Sequence, residues 1–201
     1  QGDIFLGIKV PVLRDLAGKY QDLKFNLTLE LLKSSFHEER LLALLILILK
    51  YRKAGSAEKE EICKAYLKHS RYINNWDLVD VTAKNIVGDF LFNKDRRILY
   101  RLAKSDLLWE RRIAILSTLH FIQNNDFKDT LKIAEILLKD QHDLIHKAVG
   151  WMLREIGKRD KISEERFLKK YSRMMPRTML RYAIERFPPH QRQAYLRGDI
   201  E

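Results

Sequence analysis

From Pro11 to Leu196, apolar residues recur at three- and four-residue spacing, with short polar links between the periodic stretches. This is the pattern of amphipathic helices, and it predicts about a dozen of them. Pro11 opens a helix over 11–20, and Asn26 caps one over 27–33. Further helices are expected over 37–52, 57–68, 76–92, 95–104, 109–123, 127–139 and 142–157. Ser163 introduces 164–171, Pro176 introduces 177–187, and Pro188-Pro189 stops that helix before a last segment to 196. Gly and Pro number only 8 and 4 in 201 residues, too few for a chain of tight β-turns. The predicted fold class is all-α. The longest apolar run, Leu41 to Leu49, is far too short to span a membrane and suits a buried helix.

A small residue recurs inside these helices. Ala43, Ala83, Ala114, Ala148 and Ala183 follow one another at intervals of 40, 31, 34 and 35 residues. The surroundings rhyme as well, as in Arg40-Leu41-Leu42-Ala43, Arg111-Arg112-Ile113-Ala114 and Arg181-Tyr182-Ala183. A period of this length, two helices per unit, belongs to helical solenoids, whose inner helices line an extended concave surface. The bland alternative is coincidence, since alanine is common in helices.

Charge narrows the partners. With 38 basic and 27 acidic residues the formal net charge is +11, which favours polyanions such as nucleic acid but also suits a plain solvated surface. The single cysteine, Cys63, excludes a disulfide framework or a cysteine-based metal site within one chain. It reads as a core residue of a protein in a reducing compartment. His142 and His146 stand four apart without the glutamate of an H-E-x-x-H site, and no Gly-rich phosphate loop occurs. No metal and no cofactor is expected. No signal peptide is visible, so a cytoplasmic location is expected. The chain opens on Gln1-Gly2-Asp3 without a Met, and an N-terminal helix is expected to be missing from the given sequence.

Three helices carry candidate chemistry. Trp76 and Asp80 are one turn apart and share a face with Ala83, Ile86, Val87 and Phe90. A carboxylate at the edge of an apolar stripe needs a partner or a purpose. Asp77 projects away, towards Lys84. On the helix over 109–123, Arg112 falls between Leu116 and Leu119, inside the apolar arc, where a guanidinium needs an anion. Arg111 points towards Thr118. On the helix over 142–157, Trp151 lies at the border of the core-facing arc, and Arg154 shares the polar face with Lys147 and Gly150. Each has a structural alternative. Trp76, Trp109 and Trp151 suit a core, and Asp80 suits an ion pair with Lys84 or Arg112.

Taken together, Trp76-Asp77-Leu78-Val79-Asp80, the stretch Leu108 to Leu116, the stretch His142 to Glu155 and the stretch Met175 to Ala183 resemble the AlkD family of DNA alkylation repair glycosylases. The resemblance covers nearly the whole chain, from Gly7 to the C-terminal helix. It implies a single domain over 1–201 of stacked HEAT-like repeats, cupping duplex DNA in a concave groove. It implies base excision repair: hydrolysis of the N-glycosidic bond of N3-alkyladenine and N7-alkylguanine. Carried over by position, the catalytic carboxylate matches Asp80, the two active-site tryptophans match Trp76 and Trp151, and the DNA-contacting arginine matches Arg112. Arg154 matches a further basic contact, and Lys147 is a candidate one. A monomer bound to duplex DNA in the nucleoid is expected. The rival reading is a non-catalytic helical scaffold that binds DNA or protein.

Overall fold

The computed structural model describes residues 2–199. The chain divides into two compact units, Gln1–Phe90 and Leu91–Glu201. Both are helical, and the only extended pairing among the described residues is one parallel bridge between Ile4 and Phe36. In each unit a helix packs on its chain neighbour and also on the helix two further along. That double adjacency is the stacking rule of a helical repeat, and the fold is an all-α solenoid type.

The first unit is built round one helix. In chain order it holds α1 (Val10–Lys19), α2 (Phe25–Leu31), α3 (His37–Lys53), α4 (Ser56–Lys68) and α5 (Trp76–Ala83). The α3 sequence Leu41-Leu42-Ala43-Leu44-Leu45-Ile46-Leu47-Ile48 is apolar on almost every face. A helix of that kind must be covered on all sides. It packs against α1, α2, α4 and α5, and all of those residues except Leu42 are buried. The chain of α5 continues through one π turn, Lys84–Gly88, so the uniform helix expected over 76–92 is interrupted. The wider turn lets Ile86, Val87 and Gly88 all be buried in succession.

The second unit holds α6 (Arg97–Leu102), α7 (Leu108–Gln123), α8 (Lys128–Ile136), α9 (Asp143–Gly157), α10 (Lys161–Tyr171), α11 (Arg177–Ala183) and α12 (Pro189–Arg197). Its hub is α9, which packs on α7, α8, α10 and α11. Both α8 and α11 tighten into 3-10 turns at their ends, Leu137–Lys139 and Ile184–Arg186.

The alanine register is a packing device. Ala43, Ala83, Ala114, Ala148 and Ala183 are all completely buried. Gly150 extends the logic. A Cβ placed there would meet the Met179 carbonyl and lie 2.5 Å from Tyr182 Cβ, so α9 and α11 touch backbone to backbone at this point. At Gly157 the absent side chain leaves room for the carboxyl of Glu164, itself only 2% exposed. Burial pushes that carboxyl up to about 8, reinforced by Glu165 and opposed by Lys161 and Arg154.

Two expected caps fall elsewhere. The second helix starts at Phe25 after Lys24, so Asn26 is inside it. The Ser163 helix starts three residues earlier, at Lys161, because Asp160 accepts from both the Ser163 amide (3.0 Å) and its hydroxyl (2.5 Å). Pro189, rather than only ending α11, opens α12, which closes on Gly198 at φ +83.

Two measurements check this packing. Gly150→Ala should lower stability by about 1–3 kcal/mol, because neither backbone can retreat; thermal unfolding reads it. Glu164 is neutral in the fold near pH 7 and ionised in the unfolded chain. Its contribution is therefore complete below about pH 4.5 and drains away as pH rises to about 8. The melting temperature should fall across that window, and Glu164→Gln should flatten the fall by roughly 3 °C or more.

Candidate active site

The first unit fixes α5 from its N-terminus. The Asn75 side chain caps the helix by accepting from the Trp76 amide at 2.8 Å, and its Nδ2 donates to Asp3 at 2.9 Å. Asp3 also accepts from the buried Arg40 guanidinium at 2.6 Å. Asp77 uses one oxygen to accept from the Leu78 amide and the other to pair with His37 Nε2, both at 2.8 Å. This corrects the expectation that Asp77 points towards Lys84: the residue turns back to α3. The segment before α1 is held too. Glu38 accepts from the amides of Leu6 (2.9 Å), Gly7 (2.8 Å) and Ile8 (3.3 Å). Burial works against its carboxylate, but these amide bonds win and hold it below the usual range.

On this clamped helix Leu78, Val79, Thr82 and Ala83 face inward. Trp76 is 53% exposed, so it is not a core residue; an indole left in water at a helix start is available as a platform. Asp80, one turn on, is half-buried. Beneath it the buried Tyr66 hydroxyl meets Thr82 Oγ1 at 2.7 Å. Burial chiefly raises the Tyr66 phenol, and the Asp80 charge adds to the effect.

In the second unit Arg112 is buried, as its place in the apolar arc implied. Its Nη1 donates to the Leu144 carbonyl at 2.5 Å, at the first turn of α9. The guanidinium is thus held by the helix that carries the other candidates. Arg111 does not run along α7 towards Thr118, whose hydroxyl is turned to the Ile115 carbonyl. It reaches Asp140 at 2.6 Å and the Ser105 and Asp106 carbonyls at 2.9 Å. Trp109 is core.

On α9, Trp151 is half-buried and its Nε1 donates to Glu155 at 3.0 Å, one turn on. Lys147 pairs with Asp143 at 2.7 Å, within electrostatic range of Arg112 and Tyr182. Arg154 pairs with Glu185. His142 caps α9 by accepting from the Leu144 amide at 3.2 Å, and His146 Nε2 donates to the Asp140 carbonyl at 2.5 Å. Both rings have structural work, and no three metal-binding side chains cluster among the described residues.

Chemically, the first unit offers a held carboxylate beside an open indole. The second offers a fixed guanidinium, a second indole and cations whose partners are acidic side chains that a phosphate can replace. The clamp Asp3–Asn75, His37–Asp77 was not legible in the chain, because its members lie about 40 to 70 residues apart and no local pattern joins them. Asp77→Ala removes both an amide acceptor and the His37 partner. It should cost about 1–2 kcal/mol and speed hydrogen exchange at the Leu78 amide.

Comparison with known proteins bears on the fold and the family. A comparison with curated proteins gives no match. A predicted DNA alkylation repair enzyme from Enterococcus faecalis superposes with a TM-score of 0.73 at 16% identity, over 94% of this chain and 90% of that one. The crystal structure of smu.31 from Streptococcus mutans UA159 superposes at 0.60 and 18%, over 87% and 89%. At such identities the likeness establishes the fold. The family described as DNA alkylation repair enzymes matches residues 1–187. That match spans both units and both sets of candidate residues, and the chain belongs to the DNA alkylation repair enzyme family.

Proposed function

We propose that the protein is a DNA glycosylase that excises cationic N-alkylated purines, N3-alkyladenine and N7-alkylguanine, from duplex DNA. The observation that carries this reading is Asp80: a half-buried carboxylate, one turn from a half-exposed indole, on a helix clamped at its start.

Alkylation at N3 or N7 leaves the purine with a positive charge. When its bond to C1′ breaks, the electron pair passes to the base, which departs neutral and needs no general acid. Positive charge moves to the sugar, which becomes oxocarbenium-like. A carboxylate fixed before the reaction stabilises that charge without reorganising. Asp80 supplies it and orients water for attack at C1′; the water proton is lost as the hydroxyl forms. The indole faces of Trp76 and Trp151 favour a cationic sugar in the same way. Arg112, anchored on Leu144, offers a cation of set position to the backbone. Arg154 and Lys147 exchange Glu185 and Asp143 for phosphate oxygens on binding. The reaction uses no cofactor, and one chain contains every group named.

Free base released from methylated duplex DNA, followed by chromatography, is the decisive measurement. Asp80→Asn should reduce release by on the order of a hundredfold or more, with binding retained. If neither form releases base while both bind DNA, the chain is a scaffold. Trp76→Ala should cost roughly fivefold. Affinity for DNA should fall steeply with salt, with a log–log slope of about −0.9 per phosphate contacted.

A further inference from the structure

Of the two candidate indoles, Trp151 is held by its own N–H. Trp151 Nε1 donates to Glu155 Oε1 at 3.0 Å, and the same oxygen accepts from Lys158 Nζ at 2.5 Å. Trp151, Glu155 and Lys158 stand at i, i+4 and i+7, so they share one face at the end of α9. Helical side chains lean back towards the N-terminus, which lays Glu155 over the turn that carries Trp151. The Glu155 side chain is only 19% exposed, so this hydrogen bond is largely shielded from water.

An indole on a helix has one soft angle. Its χ1 settles into the two rotamers a helix allows, but χ2 is broad and roughly twofold. Turning χ2 by about 180° keeps the ring plane and throws the six-membered ring to the opposite side. Trp151 is half-buried, so packing covers only part of the ring. The bond to Glu155 selects the arrangement whose N–H edge is directed one turn on. Charge makes this carboxylate telling, because a polyanion repels it. Glu185 and Asp143 face the cations Arg154 and Lys147. Glu155 serves a neutral N–H, and Lys158 offsets its charge.

We infer that Glu155 is a positioning residue: it fixes the orientation in which Trp151 offers its ring to the lesion sugar. This deepens the glycosylase reading and rests on it, since Trp151 acts there through its ring face. Glu155 touches no reacting atom and acts through the indole alone.

The test joins indole NMR to single-turnover base release from methylated duplex DNA, on the whole chain. Trp151→Phe identifies the Trp151 indole N–H resonance among those of the three tryptophans. Glu155→Ala should shift that resonance and speed its exchange with water by roughly fivefold or more, leaving those of Trp76 and Trp109 in place. Base release should slow by about threefold to fivefold. Glu155→Gln keeps an acceptor and should hold both readouts within about twofold of the unmodified protein. In a Trp151→Ala background, Glu155→Ala should cost nothing further, because its route is already gone. A Trp151 resonance indifferent to Glu155→Ala overturns the proposal. So does a Gln variant as slow as the Ala variant, or a full additional loss beside Trp151→Ala. If the unmodified protein releases no base, the glycosylase reading falls, and the resonance alone upholds or overturns Glu155 as the residue that orients Trp151.

Discussion

The α3 helix has no side that tolerates water. From Leu41 to Ile48 nearly every residue is a large aliphatic, and each one buried contributes on the order of 1.5–3 kcal/mol. Such a helix folds only if neighbours arrive from several directions, and α1, α2, α4 and α5 do so. Everything proposed for the first unit inherits its position from this requirement. Trp76 stays exposed because the inward face of α5 is already committed to α3 through Leu78, Val79 and Ala83. Asp80 is half-buried because it borders that face.

The second unit solves the same problem round α9, with a difference in contact chemistry. Its stacking uses closeness as well as bulk. Gly150 and Ala148 bring α11 to within backbone contact. Tight approach has an electrostatic consequence, since it aligns the ends of successive helices. Arg112 finds the Leu144 carbonyl and Arg111 finds Asp140 because α7 reaches the start of α9. Adjacent arginines thus diverge: one crosses to a backbone acceptor inside the unit, the other fastens the loop that precedes the next helix.

Much of this was readable from spacing. Periodicity located each helix to within a few residues, the alanine series named five buried positions, and the arc position of Arg112 implied its burial. These succeed because helix geometry is local: 3.6 residues per turn fixes which face a side chain takes. Failures occur where a partner is remote. Asp77 went to His37 because α3 lies there, which no i,i+4 rule can say. Glu164 lies in a charged run that holds no local sign of its burial, yet it is only 2% exposed. The cap of α10 moved from Ser163 to Asp160, since a carboxylate that takes both the serine amide and hydroxyl outcompetes the serine itself. The π turn also left no mark that periodicity could separate from an ordinary helix.

That π turn has a consequence for how this helix takes a change of length. A π turn is an α-helix carrying one surplus residue, accommodated without unfolding the helix on either side. The stretch Trp76–Ala83 and the stretch after Gly88 are therefore out of phase with each other by about one residue's rotation, 100°. Deleting a single residue among Lys84–Gly88 would leave a sound helix with every backbone bond made, yet would swing one half round against the other. The helix thus contains a natural indexing point: removing the surplus residue there rotates the Trp76 and Asp80 face relative to the turn that follows Gly88.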